Sequence, residues 1–151
     1  IYMFVYAGAP WLTQKWARIV MNHAYGAGVK GLCGNEDVGQ MSAWFLLSVM
    51  GLHPVDPSSG VYILGSPIFD EITVRLDPEY FEGDSFKVVA HHNSDDNIYV
   101  QSAALNGTPL ERAWITHKEI VTGGRLEFVM GPEPNTDWAT APEHRPPSLT
   151  Q

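Results

Sequence analysis

Cysteine is nearly absent from these 151 residues: Cys33 stands alone, which excludes an internal disulfide and leaves the compartment open. Cationic charge is scarce too, with nine Lys and Arg against seventeen Asp and Glu, a net charge of −8. Phosphate backbones need a clustered basic surface, so nucleic acid is excluded as a partner. No apolar run reaches the roughly 18–20 residues of a membrane span. A charged n-region followed by an apolar h-region is missing, so no export signal is visible. There is no low-complexity run and no internal repeat. A starting methionine is lacking as well. The opening Ile1-Tyr2-Met3-Phe4-Val5-Tyr6 reads as the inside of a packed element from a longer polypeptide.

What is present is a globular composition, 44% hydrophobic and 17% charged, enough for one core of domain size. Two zones follow one another, joined near Pro54–Gly60. In the first, Pro10 starts a helix over Trp11–Tyr25, with Leu12, Trp16, Ile19, Val20 and His23 at helical spacing. Gly26, Gly28 and Gly31 then break the chain. A second helix is expected from Glu36 or Asp37 to Met50, closed by Gly51. Its apolar residues cover nearly the whole circumference, which calls for burial on every side. Two helices cannot supply that to each other. In the second zone, Val61–Leu64, Ile72–Leu76, Phe86–His91, Ile98–Leu105 and Arg125–Met130 read as strands bounded by turn residues. Asn106-Gly107 signals a tight turn. From Pro132 the tail carries five of the eleven prolines, with Trp138 as its one large anchor, and is expected to be extended.

The densest chemical signal runs from Gly31 to Trp44. Glycines bracket Asn35-Glu36-Asp37 where a loop enters the apolar helix. Asn35 as a cap, with Glu36 and Asp37 at the positive helix end, is the plain structural reading. It leaves the glycine density unexplained, since glycines let backbone and ligand approach closely. It also leaves a polar cluster at the mouth of the helix where one cap would suffice.

The run GLCGNEDVGQMSAWFLLSVMGLHPVDPSSGVYILGSPIFDEITVRL resembles the signature region of glycoside hydrolase family 92, the calcium-dependent exo-α-mannosidases. YAGAPWLTQKW upstream is similar to the helix that precedes it. NSDDNIYVQSAALNGTPLERAWITHKEIVTGGRLEFVMGPEPN resembles the family's C-terminal strands, so the likeness spans about residues 1–140. The resemblance implies a mixed α and β fragment of a larger enzyme. Residues 1–56 would be the last helices of an (α/α)6 toroid, 57–131 a β-rich C-terminal segment, and 132–151 a Pro-rich tail.

The implied reaction releases terminal mannose from glycans with inversion. One carboxylic acid protonates the leaving oxygen while a carboxylate on the other face activates water. The resemblance puts the base on Asp37, with Asn35 orienting the water or holding the sugar. Many members carry aspartate at the Asn35 position, and the change leaves Asp37 as the sole base here. Gly34, Glu36 and Trp11 are candidate sugar contacts, although Glu36 between its neighbours equally suits a structural hydrogen bond. The acid and the main calcium ligands are expected upstream, in the missing N-terminal part of the polypeptide. No metal ligand is assigned in this chain. Secretion or periplasmic export also follows from the family.

Other signals are weaker. His91 and His92 point to opposite faces if both lie on a strand, which disfavours a shared metal. Asn93–Asn97 lacks the spacing of a calcium loop and suits a solvated turn. Cys33 has no histidine beside it and is expected to pack. Trp44 is expected in the core, and His117 and Lys118 in a structural turn. Two rival readings stand: a non-catalytic carbohydrate-binding or interaction module in the β-rich half, and an (α/α)6 glycosidase acting on another sugar.

Overall fold

The computed structural model describes residues 1–148. Helix α1 spans Met3–Tyr6, and α2 runs over Pro10–Ala24 with Pro10 in its first turn, where a missing N–H costs nothing. Helix α3 covers Gln40–Val49. Strands β1 (Leu52–His53), β2 (Val61–Leu64), β3 (Glu71–Arg75), β4 (Ser85–His91) and β5 (Tyr99–Leu105) come next. They are followed by β6 (Thr108–Pro109), β7 (Trp114–Thr116), the short helix α4 (His117–Val121) and β8 (Gly124–Gly131).

Two sheets form. One has three antiparallel strands in the order β1-β2-β7, and the other has five in the order β3-β4-β8-β5-β6. In the larger sheet β8 pairs parallel with β4 and antiparallel with β5, so it lies at the centre. Strand alternation explains the layering. Val61 and Ile63 join Tyr2, Val5, Ala17, Met21 and Val49 in a core against the helices. Leu64 and Ile115 join Phe86, Val88, Leu126 and Phe128 in a second core against the larger sheet. The small sheet is therefore a middle layer serving both. Strand β1 pairs with β2 across the composition change near residue 56, with Leu52 opposite Leu64.

Buried polar groups fasten the helices to the strands. Gln14, 1% exposed, accepts the Val100 amide at 3.1 Å. Arg18 donates Nε–H to Ser66 Oγ at 2.9 Å and its other nitrogens to the Pro67 carbonyl, Asn93 Oδ1 and the Ser94 carbonyl. Burial pulls the Arg18 guanidinium below its ordinary range, with the Asp95 charge opposing. The Asn93–Asn97 turn is thus tied to α2, with Asn93 also donating to the Ile68 carbonyl at 2.7 Å.

Two expectations need correction. His117 and Lys118 lie in a helix, because Thr116 and Glu119 form a reciprocal capping box. The tail is not simply extended. Asn135 donates to the Gln101 carbonyl, Trp138 Nε1 to the Leu110 carbonyl, and Pro142–His144 makes a 3₁₀ turn. Residues 149–151 of that tail lie outside the described residues. Helix α3, whose all-round apolar surface calls for more partners than one neighbouring helix, is not enclosed by the described residues: only Ser48 and Val49 are buried, and Leu46 is 62% exposed.

Candidate active site

Helix α2 ends where Tyr25 turns extended and bridges to Leu32. The intervening loop closes on itself, with the Gly26 amide donating to the Gly31 carbonyl at 2.9 Å. A Cβ on Gly31 would lie 2.1 Å from the Gly26 carbonyl oxygen, so only glycine allows the closure. This reversal brings Cys33-Gly34-Asn35-Glu36-Asp37 to the end of α2.

Helix α3 begins later than its sequence suggests. Asp37–Gly39 forms a single 3₁₀ turn in which Val38 (φ 59°, ψ 24°) and Gly39 (φ 75°) are both left-handed. That conformation is ordinary for glycine and a strained outlier for a β-branched residue. The two residues break the helical run, and the first regular residue is Gln40. Asn35 therefore does not cap α3; its N-cap position is Gly39, with no side-chain bond. The missing cap is supplied from farther back. Glu36 accepts the Ser42 amide at 3.2 Å on each carboxylate oxygen and the Ser42 hydroxyl at 3.0 Å.

An aromatic cluster joins the end of α2 to α3. Tyr25 stacks on Trp44 with centroids 5.4 Å apart and on Phe45 at 4.9 Å, and its hydroxyl donates to the Met41 carbonyl. Burial, then the nearby Cys33 and Glu36, raise the Tyr25 hydroxyl above its ordinary range. Tyr2 continues the cluster. Burial pushes its phenol up to about 12, against the bond it donates to Ser48 at 2.8 Å. His53 stacks on Tyr2 at 4.4 Å, burial lowers its imidazole, and its Nδ1 is buried without a hydrogen-bond partner among the described residues. Trp44, expected in the core, is half-buried between Tyr25 and His53.

The structure joins some candidates and separates others. Gly34, Asn35, Glu36 and Asp37 share one loop. Asp37 and Asn35 are exposed, and neither side chain bonds to a described residue. Gly34 is open, with Met41 Sδ 3.6 Å from where a Cβ would stand. Trp11 is not brought to them. It sits at the start of α2 and the loop at its end, about 21 Å apart along the axis at 1.5 Å per residue. Cys33 is exposed rather than packed, because its loop lies off the core. His92 lies beyond β4 at φ 61°, and His91 pairs with Glu127 at 3.2 Å. Among the described residues no three His, Cys, Asp or Glu side chains are placed to hold a metal. By themselves the described residues present no such carboxylate cluster for a calcium ion. Tyr25, Val38 and Ser42 were not singled out by sequence reasoning, and the glycine density was the only signal of an unusual backbone.

Residues 1–132 match the family model for the glycosyl hydrolase family 92 catalytic domain. The chain belongs to glycoside hydrolase family 92. Family 92 structures share its fold closely. A family 92 α-mannosidase from Bacteroides thetaiotaomicron is 37% identical with a TM-score of 0.90, and it has also been solved with mannoimidazole bound. A family 92 inverting mannosidase from the same organism is 41% identical, also with a TM-score of 0.90. A protein of Arthroderma benhamiae described as an uncharacterized secreted glycosidase is 32% identical over 148 residues. These cover 98–99% of this chain, whereas the chain spans only 19–20% of their length. The family 92 match runs through the motif loop and both sheets. No described helix is long and apolar enough to cross a membrane.

Proposed function

We propose that this chain is the C-terminal part of an inverting exo-α-mannosidase that removes terminal α-mannose from glycans, with Asp37 as its general base. The observation that carries this reading is the presentation of Asp37. It stands exposed, with no side-chain partner among the described residues, on a kinked loop ahead of α3 and inside the family match. A general base must have a carboxylate oxygen free to take a proton from water. Its free oxygens are open to a water rather than committed to a neighbour. Asn35, two residues earlier and also exposed, orients that water or holds a sugar hydroxyl. Gly34 allows close approach of the sugar.

Inversion needs a second carboxyl group across the sugar, about 6.5–9.5 Å away, to protonate the leaving oxygen. That acid belongs to the rest of the polypeptide, as do the ligands of the calcium ion that the family implies. Residues 1–56 supply the closing helices of an (α/α)6 toroid, with 57–131 a β-rich buttress and 132–151 the tail. The exposed outer face of α3, Leu46 above all, fits a helix with neighbours elsewhere in the polypeptide. Export from the cell is supported by the relative described as secreted. A detachable carbohydrate-binding module is less well supported, because Gln14 and Arg18 bind the strands to α2 through buried bonds.

The test is hydrolysis of an α-mannoside by the complete polypeptide, followed by NMR of the first-formed sugar. Mannose released initially as the β-anomer, lost with EDTA and restored by calcium, is the expected result. Release of another sugar, or of none, overturns the reading.

A further inference from the structure

We propose that Glu36 is a positioning residue that works through Ser42, locking the left-handed turn at Val38-Gly39 and thereby fixing where Asp37 points. This rests on Asp37 being the base. The geometry is a closed clasp. The Glu36 carboxylate, at one end of the loop, accepts both the amide and the hydroxyl of Ser42, in the first turn of α3, at 3.0–3.2 Å. The five residues between them are Asp37, Val38, Gly39, Gln40 and Met41.

Two features of that segment need an external restraint. Val38 is left-handed with its side chain fully exposed, so no packing among the described residues holds its unfavourable backbone. Helix α3 has no side-chain cap at Gly39, so without Glu36 the Ser42 amide loses its partner at the helix start. The same carboxylate answers both needs. Its oxygens are occupied by Ser42, so the adjacent Asp37 is left as the acid free to face solvent. Asp37 is held from both sides, by the clasp and by its own carbonyl accepting the Gln40 amide.

The experiment uses the complete polypeptide and separates kcat from KM on an α-mannoside. Glu36→Ala is expected to lower kcat about 100-fold with KM little changed, as for a reacting group displaced by about 1 Å. Glu36→Gln retains an acceptor for Ser42 and should restore kcat to within about tenfold. Ser42→Ala alone should lower kcat about threefold and add almost nothing to Glu36→Ala, because the two act as a unit. A sugar contact would instead raise KM and leave the Ser42 and Glu36 effects multiplicative, which overturns the proposal. If Glu36→Ala fails to fold by near-UV circular dichroism, Ser42→Ala decides: an unchanged kcat overturns the clasp. Asp37→Ala is run in parallel. Full activity there sinks the base assignment, whereas an inactive Asp37→Ala with a fully active Glu36→Ala sinks only the positioning role.

Discussion

In the larger sheet Phe86, Leu126 and Phe128 are completely enclosed, whereas over residues 33–40 every residue except Glu36 is exposed. The sheet's conformation is dictated redundantly, by ladder pairing on both sides of β4, β8 and β5 and by packing from the middle layer. The motif loop has neither support. Its shape rests on one glycine closure, one carboxylate clasp and a left-handed valine. Redundant support makes a region stable and tolerant. Sparse support leaves polar groups free to meet a ligand, and strained backbone of this kind concentrates at functional sites.

The sharpest way to break that comparison is to mutate both regions and read stability and turnover together. Phe128→Ala should cost about 3–5 kcal/mol in urea unfolding, as for a large ring removed from a closed core. A cost below about 1 kcal/mol would mean the core is far looser than its burial indicates. Arg18→Met should cost about 3 kcal/mol, because Ser66, Pro67 and Asn93 lose a buried donor. Arg18→Lys should rescue little of it, since an ammonium lacks the planar fork.

Acid should weaken the capping box of α4. Burial alone would raise the Glu119 carboxyl, but the Thr116 amide and hydroxyl, with Arg112, outweigh it and hold it below the ordinary carboxylate range. A folded value below the unfolded one means the stabilisation is complete above the unfolded value of about 4.3 and fades as pH falls through the folded one. Glu119→Gln should flatten the acid side of the stability profile; an unchanged slope would remove Glu119 from the account. The smallest effect is expected in the loop. Val38→Gly should raise stability by up to about 1 kcal/mol by removing left-handed strain, while lowering kcat as the loop loosens. Gains in both would contradict a strained loop held for function.

Much of the fold was legible because it rests on local pattern. Pro10 with helical spacing located α2, and alternation bounded by turn residues located the five long strands. Thr116 and Glu119 spell a capping signature, so α4 is readable from local pattern, although its five residues are as short as a turn. The late start of α3 was not readable, since nothing in Asp37-Val38-Gly39 announces a left-handed valine. Gln14 and Arg18 look like surface residues of an amphipathic helix. Their partners arrive from 48 to 86 positions away, which no local pattern encodes. For the site, Asn35-Glu36-Asp37 stood out by its glycine frame. The separation of Trp11 from it depended on which end of α2 the loop returns to, a tertiary fact.

The most direct test of the central claim is turnover of an α-mannoside by the complete polypeptide carrying Asp37→Ala. Asp37 is exposed and has no side-chain partner among the described residues, so its removal should leave unfolding within about 0.5 kcal/mol of the parent. Mannose release should fall by at least about 100-fold, the lower bound for loss of a general base. Release close to that of the parent, with the same unchanged stability, would contradict the assignment of Asp37 as base.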